Sequence, residues 1–180
     1  MLLPPQIDIQ EDDFDLGRAW SELQANLGAE VGAIAGFTGV VRGASRSTAG
    51  GGRADDQVEA LYLEHYPGMT EASIADIVDR ASQAWPLLGV HVLHRVGRLA
   101  PGAQIVMVLV ASSHRPAAFA ACEFIMDYLK TDVVLWKRED YRDGSHWLHP
   151  ADSDKSRRAG WGHGQEVARD ESATKKDADG

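Results

Sequence analysis

Residues 112–139 read SSHRPAAFAACEFIMDYLKTDVVLWKRE, and the rest of the chain is arranged around them. Just upstream, Gln104–Ala111 (QIVMVLVA) is the most apolar run in the protein, which predicts a central strand. Pro116 stands where the first turn of a helix has no use for an N–H. Phe119, Cys122, Met126 and Leu129 then recur at helical spacing as the predicted buried stripe, and the helix ends on Lys130. A short strand over Val133–Trp136 leads to Lys137, Arg138 and Glu139. If strand and helix pack side by side, His114, Arg115, Lys130, Lys137 and Arg138 gather at one mouth. A chain of net charge -9 has no general reason to collect positive charge there. The pattern points to a site that handles anions.

The 180 residues suit one domain with a substantial core. The acidity belongs to the ends: residues 1–30 carry net -6 and residues 162–180 net -2, leaving -1 for everything between. That balance argues against nonspecific nucleic-acid binding, which needs a broad basic face. Cys122 is the single cysteine, so no intrachain disulfide and no cysteine-rich zinc site can form. No stretch has the length of a membrane span, and the N-terminus lacks a basic-then-apolar signal pattern. The expected location is the cytoplasm.

Working outward, Phe14–Leu27 reads as a helix with acids at its start, where the dipole favours them. Val31–Val41 (VGAIAGFTGVV) mixes glycines with β-branched residues, which predicts a bent or bulged strand with Arg42 at its end. From Gly43 to Asp56 the side chains are too small to bury, so the segment reads as a flexible loop, either a surface insertion or a lid. Gln57–Tyr66 alternates like a strand. Thr70 is the expected cap of a helix running to Trp85, with Ile74, Ile77, Val78 and Ala81 inward. Val90–Val96 is a further strand, followed by a turn at Pro101-Gly102, and Arg142-Asp143-Gly144 forms another turn. Beyond Trp161 the composition predicts disorder, giving a folded domain over 1–161 and a tail over 162–180. Strands in pairs with interposed helices, instead of a regular βαβ series, predict an α+β fold.

Each candidate residue has a functional and a structural reading. His114-Arg115 lies at a helix N-terminus, where backbone N–H groups already favour an anion and Arg can add a bidentate clamp. The same two residues would also serve as a surface ion pair and a capping His. Lys130 complements the helix dipole without any catalytic duty. Lys137 and Arg138 would also suit a solvated strand end. Convergence favours function: two lysines in one cleft depress each other's affinity for protons, which frees one as a base. Glu139 would hold such an array or offset its charge, and Arg42 is a further anion ligand or a surface Arg. His65, His91 and His94 read as core or interface residues. No His/carboxylate cluster suggests a metal, and the Gly-rich loop lacks the ending of a P-loop.

The segments FTGVVRG (37–43), LEHYPGMTEASIADIVDRA (63–81), HRVGRLAPG (94–102), SSHRPAAFAACEFIMDYLK (112–130) and WKRE (136–139) together resemble the large, catalytic subunit of molybdopterin synthase. The resemblance covers about residues 31–161; the Gly43–Asp56 loop is longer than is usual and the tail after Trp161 is an addition.

The resemblance implies an α/β-hammerhead fold with antiparallel and mixed sheets and a small sub-lobe. It also implies a homodimer within a heterotetramer. Each end would bind a small ubiquitin-like sulfur-carrier subunit whose C-terminal Gly-Gly thiocarboxylate threads into the pocket. Sulfur would pass to cyclic pyranopterin monophosphate, giving the dithiolene of molybdopterin, with no cofactor of the protein's own. By position, Lys130 and Lys137 match the family's catalytic lysines. Val40, Val41, Arg42, His114, Arg115, Arg138 and Glu139, with the two lysines, match its substrate pocket. In this family a pocket draws on both protomers, so His114-Arg115 would serve the neighbour's lysines. Two readings compete: a non-catalytic dimeric dock for a ubiquitin-like partner, and a nucleotide or single-strand binder. The second expects exposed aromatics alternating with basic residues.

Overall fold

The computed structural model describes residues 2–43, 57–148 and 153–161. It is built on two four-stranded sheets. The first has the order β1 (Gln6–Gln10), β4 (Leu87–Arg95), β6 (Gln104–Ser112), β2 (Ala33–Val40). Only β1 and β4 run parallel; β6 is antiparallel to both its neighbours, so the sheet is mixed. The second is antiparallel, in the order β5 (Gly97–Leu99), β3 (Ala60–His65), β7 (Leu135–Tyr141), β8 (Gly144–Leu148). The helices are α1 (Leu16–Asn26), α2 (Met69–Ala84) and α3 (Arg115–Thr131), with a further helical segment, α4, at 153–161. The fold is α+β, as expected.

Side-chain alternation along the inner strands explains the layering. Val90, Val92, Val106, Val108 and Val110 face α2 and α3, meeting Ile74, Ile77, Val78, Ala81, Phe124 and Ile125. Leu93, Met107 and Leu109 point the other way, onto Ala19 and Leu23 of α1. The apolar run at β6 is thus buried on both faces. A third cluster of Val41, Leu61, Leu63, Val96 and Leu99 joins the second sheet to the ends of the first.

Several boundaries differ from the sequence reading for physical reasons. Thr70 is not the cap of α2: Gly68, at φ 81°, precedes the helix and donates its N–H to Glu71 at 2.7 Å. The buried Thr70 hydroxyl accepts from the Tyr66 N–H and donates to the Val134 carbonyl, each at 3.0 Å, tying α2 to the exit of α3. Phe119 is 62 % exposed, because the inward stripe of α3 runs through Ala118, Cys122, Ile125 and Leu129. The strand predicted over Val133–Trp136 runs instead from Leu135 to Tyr141, since pairing with β3 and β8 carries it through the charged residues. The loop at 44–56 and the tail after Trp161 lie outside the described residues. Among the described residues no helix is long and apolar enough to cross a membrane.

Candidate active site

A cavity of about 400 Å³ opens where the C-terminal end of α3 meets both sheets. The elements around it explain each side chain's presence. Along β2 the register shifts between Gly39 and Val40. A bulge of this kind re-aims the residues that follow. Val41 turns into the inter-sheet cluster, anchored by its N–H to the Ala103 carbonyl at 2.9 Å, while Val40 and Arg42 line the cavity. Met126, Leu129 and Lys130 follow the three- and four-residue spacing of one helix face and reach the same space from α3. On β7, Lys137 and Glu139 alternate onto the cavity side. Phe37, Val40 and Leu148, all partly or largely exposed, give the cavity an apolar lining around its charged groups.

The electrostatics set the two lysines apart. Lys137 is largely enclosed; burial and then the nearby Lys130 charge hold its amine below the usual lysine range, with Asp154 opposing. Lys130 is more open, its side chain 41 % exposed, and its Nζ stands 4.0 Å from the Asp154 carboxylate. Burial beside a second cation thus eases the loss of the Lys137 proton. Glu139 accepts a hydrogen bond from the Tyr141 hydroxyl, which holds its carboxylate in place.

His94 lines the cavity too, although the sequence marked it as core or interface. It is buried, as expected, and its Nδ1 lies 2.7 Å from the Arg95 carbonyl. A carbonyl can only accept, so Nδ1 carries the proton. Burial, joined by the Lys137 charge, pushes the imidazole from 6.5 to about 4. The ring is consequently neutral near pH 7, with Nε2 as its unprotonated nitrogen. A sequence signal for it existed: two-residue alternation along β4 puts His94 on the face of Val90 and Val92, beneath α3.

Three predicted residues are not brought to this cavity within one chain, so the expected single mouth is corrected. His114 and Arg115 cap and begin α3, whereas Lys130 closes it. A helix of 17 residues is about 25 Å long, so the two groups stand at opposite ends. Arg138 alternates to the other face of β7, where its guanidinium lies over the Tyr62 and Trp147 rings at 4.8 and 5.5 Å and its Nε donates to Asp140 at 2.9 Å. Val40, Val41, Arg42, Lys130, Lys137 and Glu139 do share the cavity. Among the described residues no group of three His, Cys, Asp or Glu is placed to hold a metal.

Comparison with known proteins places the chain in a family. The family model described as "MoaE protein" matches residues 9–132. The chain belongs to the MoaE family. A molybdopterin synthase catalytic subunit from Ralstonia nicotianae is 48 % identical over 158 residues, spanning 88 % of this chain and 85 % of that one. The structure of a molybdopterin biosynthesis MoaE protein from Burkholderia ambifaria superposes with a TM-score of 0.72 at 45 % identity, covering 88 % of this chain and 99 % of that one. A molybdopterin synthase structure from Staphylococcus aureus gives 0.67 at 28 % identity, with 79 % and 96 % covered. The MoaE match includes Arg42, His94, His114, Arg115 and Lys130, whereas Lys137, Glu139 and α4 follow its end.

Proposed function

We propose that this MoaE-family chain is the catalytic subunit of a molybdopterin synthase working in the cytoplasm. It transfers sulfur from the C-terminal thiocarboxylate of a small ubiquitin-like carrier to cyclic pyranopterin monophosphate, forming the dithiolene. The observation that carries the reading is the meeting of Lys130 and Lys137 in one cavity that Arg42 also lines. Both reactants are anions, one a phosphate ester and the other a thiocarboxylate, and cations lower the cost of bringing them together. The apolar lining at Phe37, Val40 and Leu148 suits a glycine-rich tail and a pterin ring.

The chemistry divides between the lysines. Thiocarboxylate sulfur attacks a side-chain carbon of the pterin and displaces the oxygen bonded there, which leaves as a freed phosphate oxygen or as water. A second water then cleaves the acyl–sulfur bond, releasing the carrier as a carboxylate and leaving the sulfur on the pterin as a thiolate; a second loaded carrier repeats the transfer at the neighbouring carbon. Negative charge develops on the acyl oxygen during that cleavage. Lys130, the more open ammonium, stabilises it, and Lys137, the enclosed amine, takes up the proton that the attacking water loses. Arg42 anchors phosphate. His114 and Arg115 complete the pocket of a second protomer in a homodimer, since they lie a helix length from their own Lys130.

The test mixes the protein with thiocarboxylated carrier and cyclic pyranopterin monophosphate and follows dithiolene formation. Product is expected from the native chain, with none from Lys130→Ala although the carrier still binds. A purely docking protein gives the opposite split: lysine substitutions weaken carrier affinity, and no mixture containing the native chain forms product.

A further inference from the structure

The helical segment α4 is held against α3 by an unusually charged set of contacts. Arg157 donates to Glu123 at 2.7 Å and to Asp127 at 3.3 Å. Arg158 makes a forked contact to Asp132 at 3.2 and 2.9 Å. Trp161 donates its indole N–H to the other oxygen of Asp127 at 2.9 Å and packs edge-on against Trp85 and Phe124, at 5.7 and 5.5 Å. Asp127 is only 5 % exposed. A buried carboxylate needs partners, and both of these side-chain partners come from α4. The segment is thus fastened along one side of α3, from Glu123 to Asp132.

The fastening has a consequence at the other end of the segment. Asp154 lies in the first turn of α4, its side chain 15 % exposed, with its carboxylate 4.0 Å from Lys130 Nζ. That separation exceeds a hydrogen bond, so the carboxylate acts on the amine through its charge without occupying its donor directions. We propose that Asp154 is a positioning residue for the lysine pair, carried to the cavity by α4 acting as a strap.

Two ammonium groups facing one enclosed space disfavour each other. A carboxylate beside one of them offsets that repulsion. Asp154 stands 4.0 Å from the open Lys130, and its charge holds up the proton affinity of Lys137 against burial and the Lys130 charge, so that Lys137 stays a strong enough base to take up a proton. The titratable groups around Lys137 are Lys130 on α3, His94 on β4, Arg42 after β2 and Glu139 on its own strand, which line the cavity with it, and Asp154 on α4, whose charge reaches it. Of these, only Asp154 and Glu139 are acidic, and only Asp154 is supplied by a segment held through side-chain pairs instead of sheet pairing. The inference rests on the synthase reading for its purpose, and on the fastening of α4 and the 4.0 Å approach of Asp154 to Lys130 for its existence.

The experiment measures the reactivity of Lys137 directly. The full chain is treated with limiting acetic anhydride across a pH series, and peptide mass spectrometry reads acetylation of Lys137 and Lys130. With Asp154→Asn the loss of negative charge makes Lys137 a weaker base, so its acetylation at neutral pH is expected to quicken about threefold. Asp154→Glu returns it towards native, and Trp161→Ala, which loosens the strap with Asp154 still present, reproduces the quickening. In the carrier assay, the limb of the pH–rate profile governed by Lys137 moves to lower pH in Asp154→Asn. Unchanged Lys137 acetylation in Asp154→Asn overturns the proposal even if the variant is slower, because a merely structural role leaves the titration where it was. Shifted labelling in a chain that makes no dithiolene upholds the strap and removes the synthase reading. Dithiolene formation with unshifted labelling does the reverse.

Discussion

The two ends of α3 carry the same sign of charge but are built differently. At its C-terminal end Lys130 complements the helix dipole, lines a cavity, and has Lys137, His94 and Asp154 around it, all from the same chain. At its N-terminal end His114 and Arg115 are exposed, and their side chains have no hydrogen-bond or ion-pair partner among the described residues. The first turn there contains no acid. Cations at a helix N-terminus oppose the dipole, so the fold gains nothing from Arg115. One end lines a cavity with groups from its own chain, whereas the other presents donors and charge on an exposed surface.

The largest expected effect tests the cavity end. Lys130→Ala should slow dithiolene formation by at least about a hundredfold, the scale on which loss of one transition-state donor is felt. Carrier affinity, measured by calorimetry, should stay within about twofold, because one partly exposed lysine adds little to docking. A fall in affinity with turnover intact at saturating carrier would move Lys130 from chemistry to docking.

The next prediction asks whether the bare end completes a neighbour. Arg115→Ala and Lys130→Ala should each be inactive alone. When they are unfolded together and refolded as an equal mixture, half the dimers are mixed, and each mixed dimer holds one pocket with both residues intact. Activity should therefore return to about a quarter of native. No recovery in a mixture shown by native mass spectrometry to contain mixed dimers would place both residues' work in one chain.

A smaller effect tests the cavity end by pH. The folded chain holds His94 neutral down to about 4, whereas the unfolded chain binds that proton near 6.5. Between those values the unfolded state carries more protons, so stability rises with pH. The contribution is fully present above about 6.5 and is lost as pH falls towards 4, to the extent of about 3 kcal/mol. Denaturant titrations across this range should show the fall, and His94→Gln should flatten it.

How much of this was legible in the sequence follows the same division. The apolar run of β6 and the helical stripe of α3 announce themselves locally, because burial on two faces or one face imposes a period. The motif residues Arg42, Lys130, Lys137 and Glu139 were named, but their meeting depends on a bulge in β2 and on β7 pairing with β3, which no local pattern states. Arg138 and Lys137 are adjacent in sequence, yet adjacency in a strand means opposite faces. β5 has three residues and β8 is exposed throughout, so neither shows an alternating apolar signature. The strap α4 was invisible for a related reason: its hold on α3 is ionic and aromatic, through Arg157, Arg158 and Trp161, and becomes apparent only beside Asp127 and Asp132.

The smallest effect is also the sharpest way to compare the ends. Arg115→Glu replaces a cation that opposes the dipole with an anion that favours it, at an exposed position in the first turn of α3. Thermal or denaturant unfolding should show a gain of about 0.3–1 kcal/mol, reduced by salt. Lys130→Glu makes the inverse change in the last turn and should lose a comparable amount, with a further loss from setting a second carboxylate beside Asp154. Both variants should be inactive in sulfur transfer. A variant that is more stable and yet dead would separate the two reasons a charged residue can be present, since Arg115 would then serve activity against the preference of its own helix. If Arg115→Glu were instead destabilised, Arg115 would have a structural partner in the assembled protein, and the exposed charge of that end would reflect a missing contact of the fold and not a missing half of the pocket.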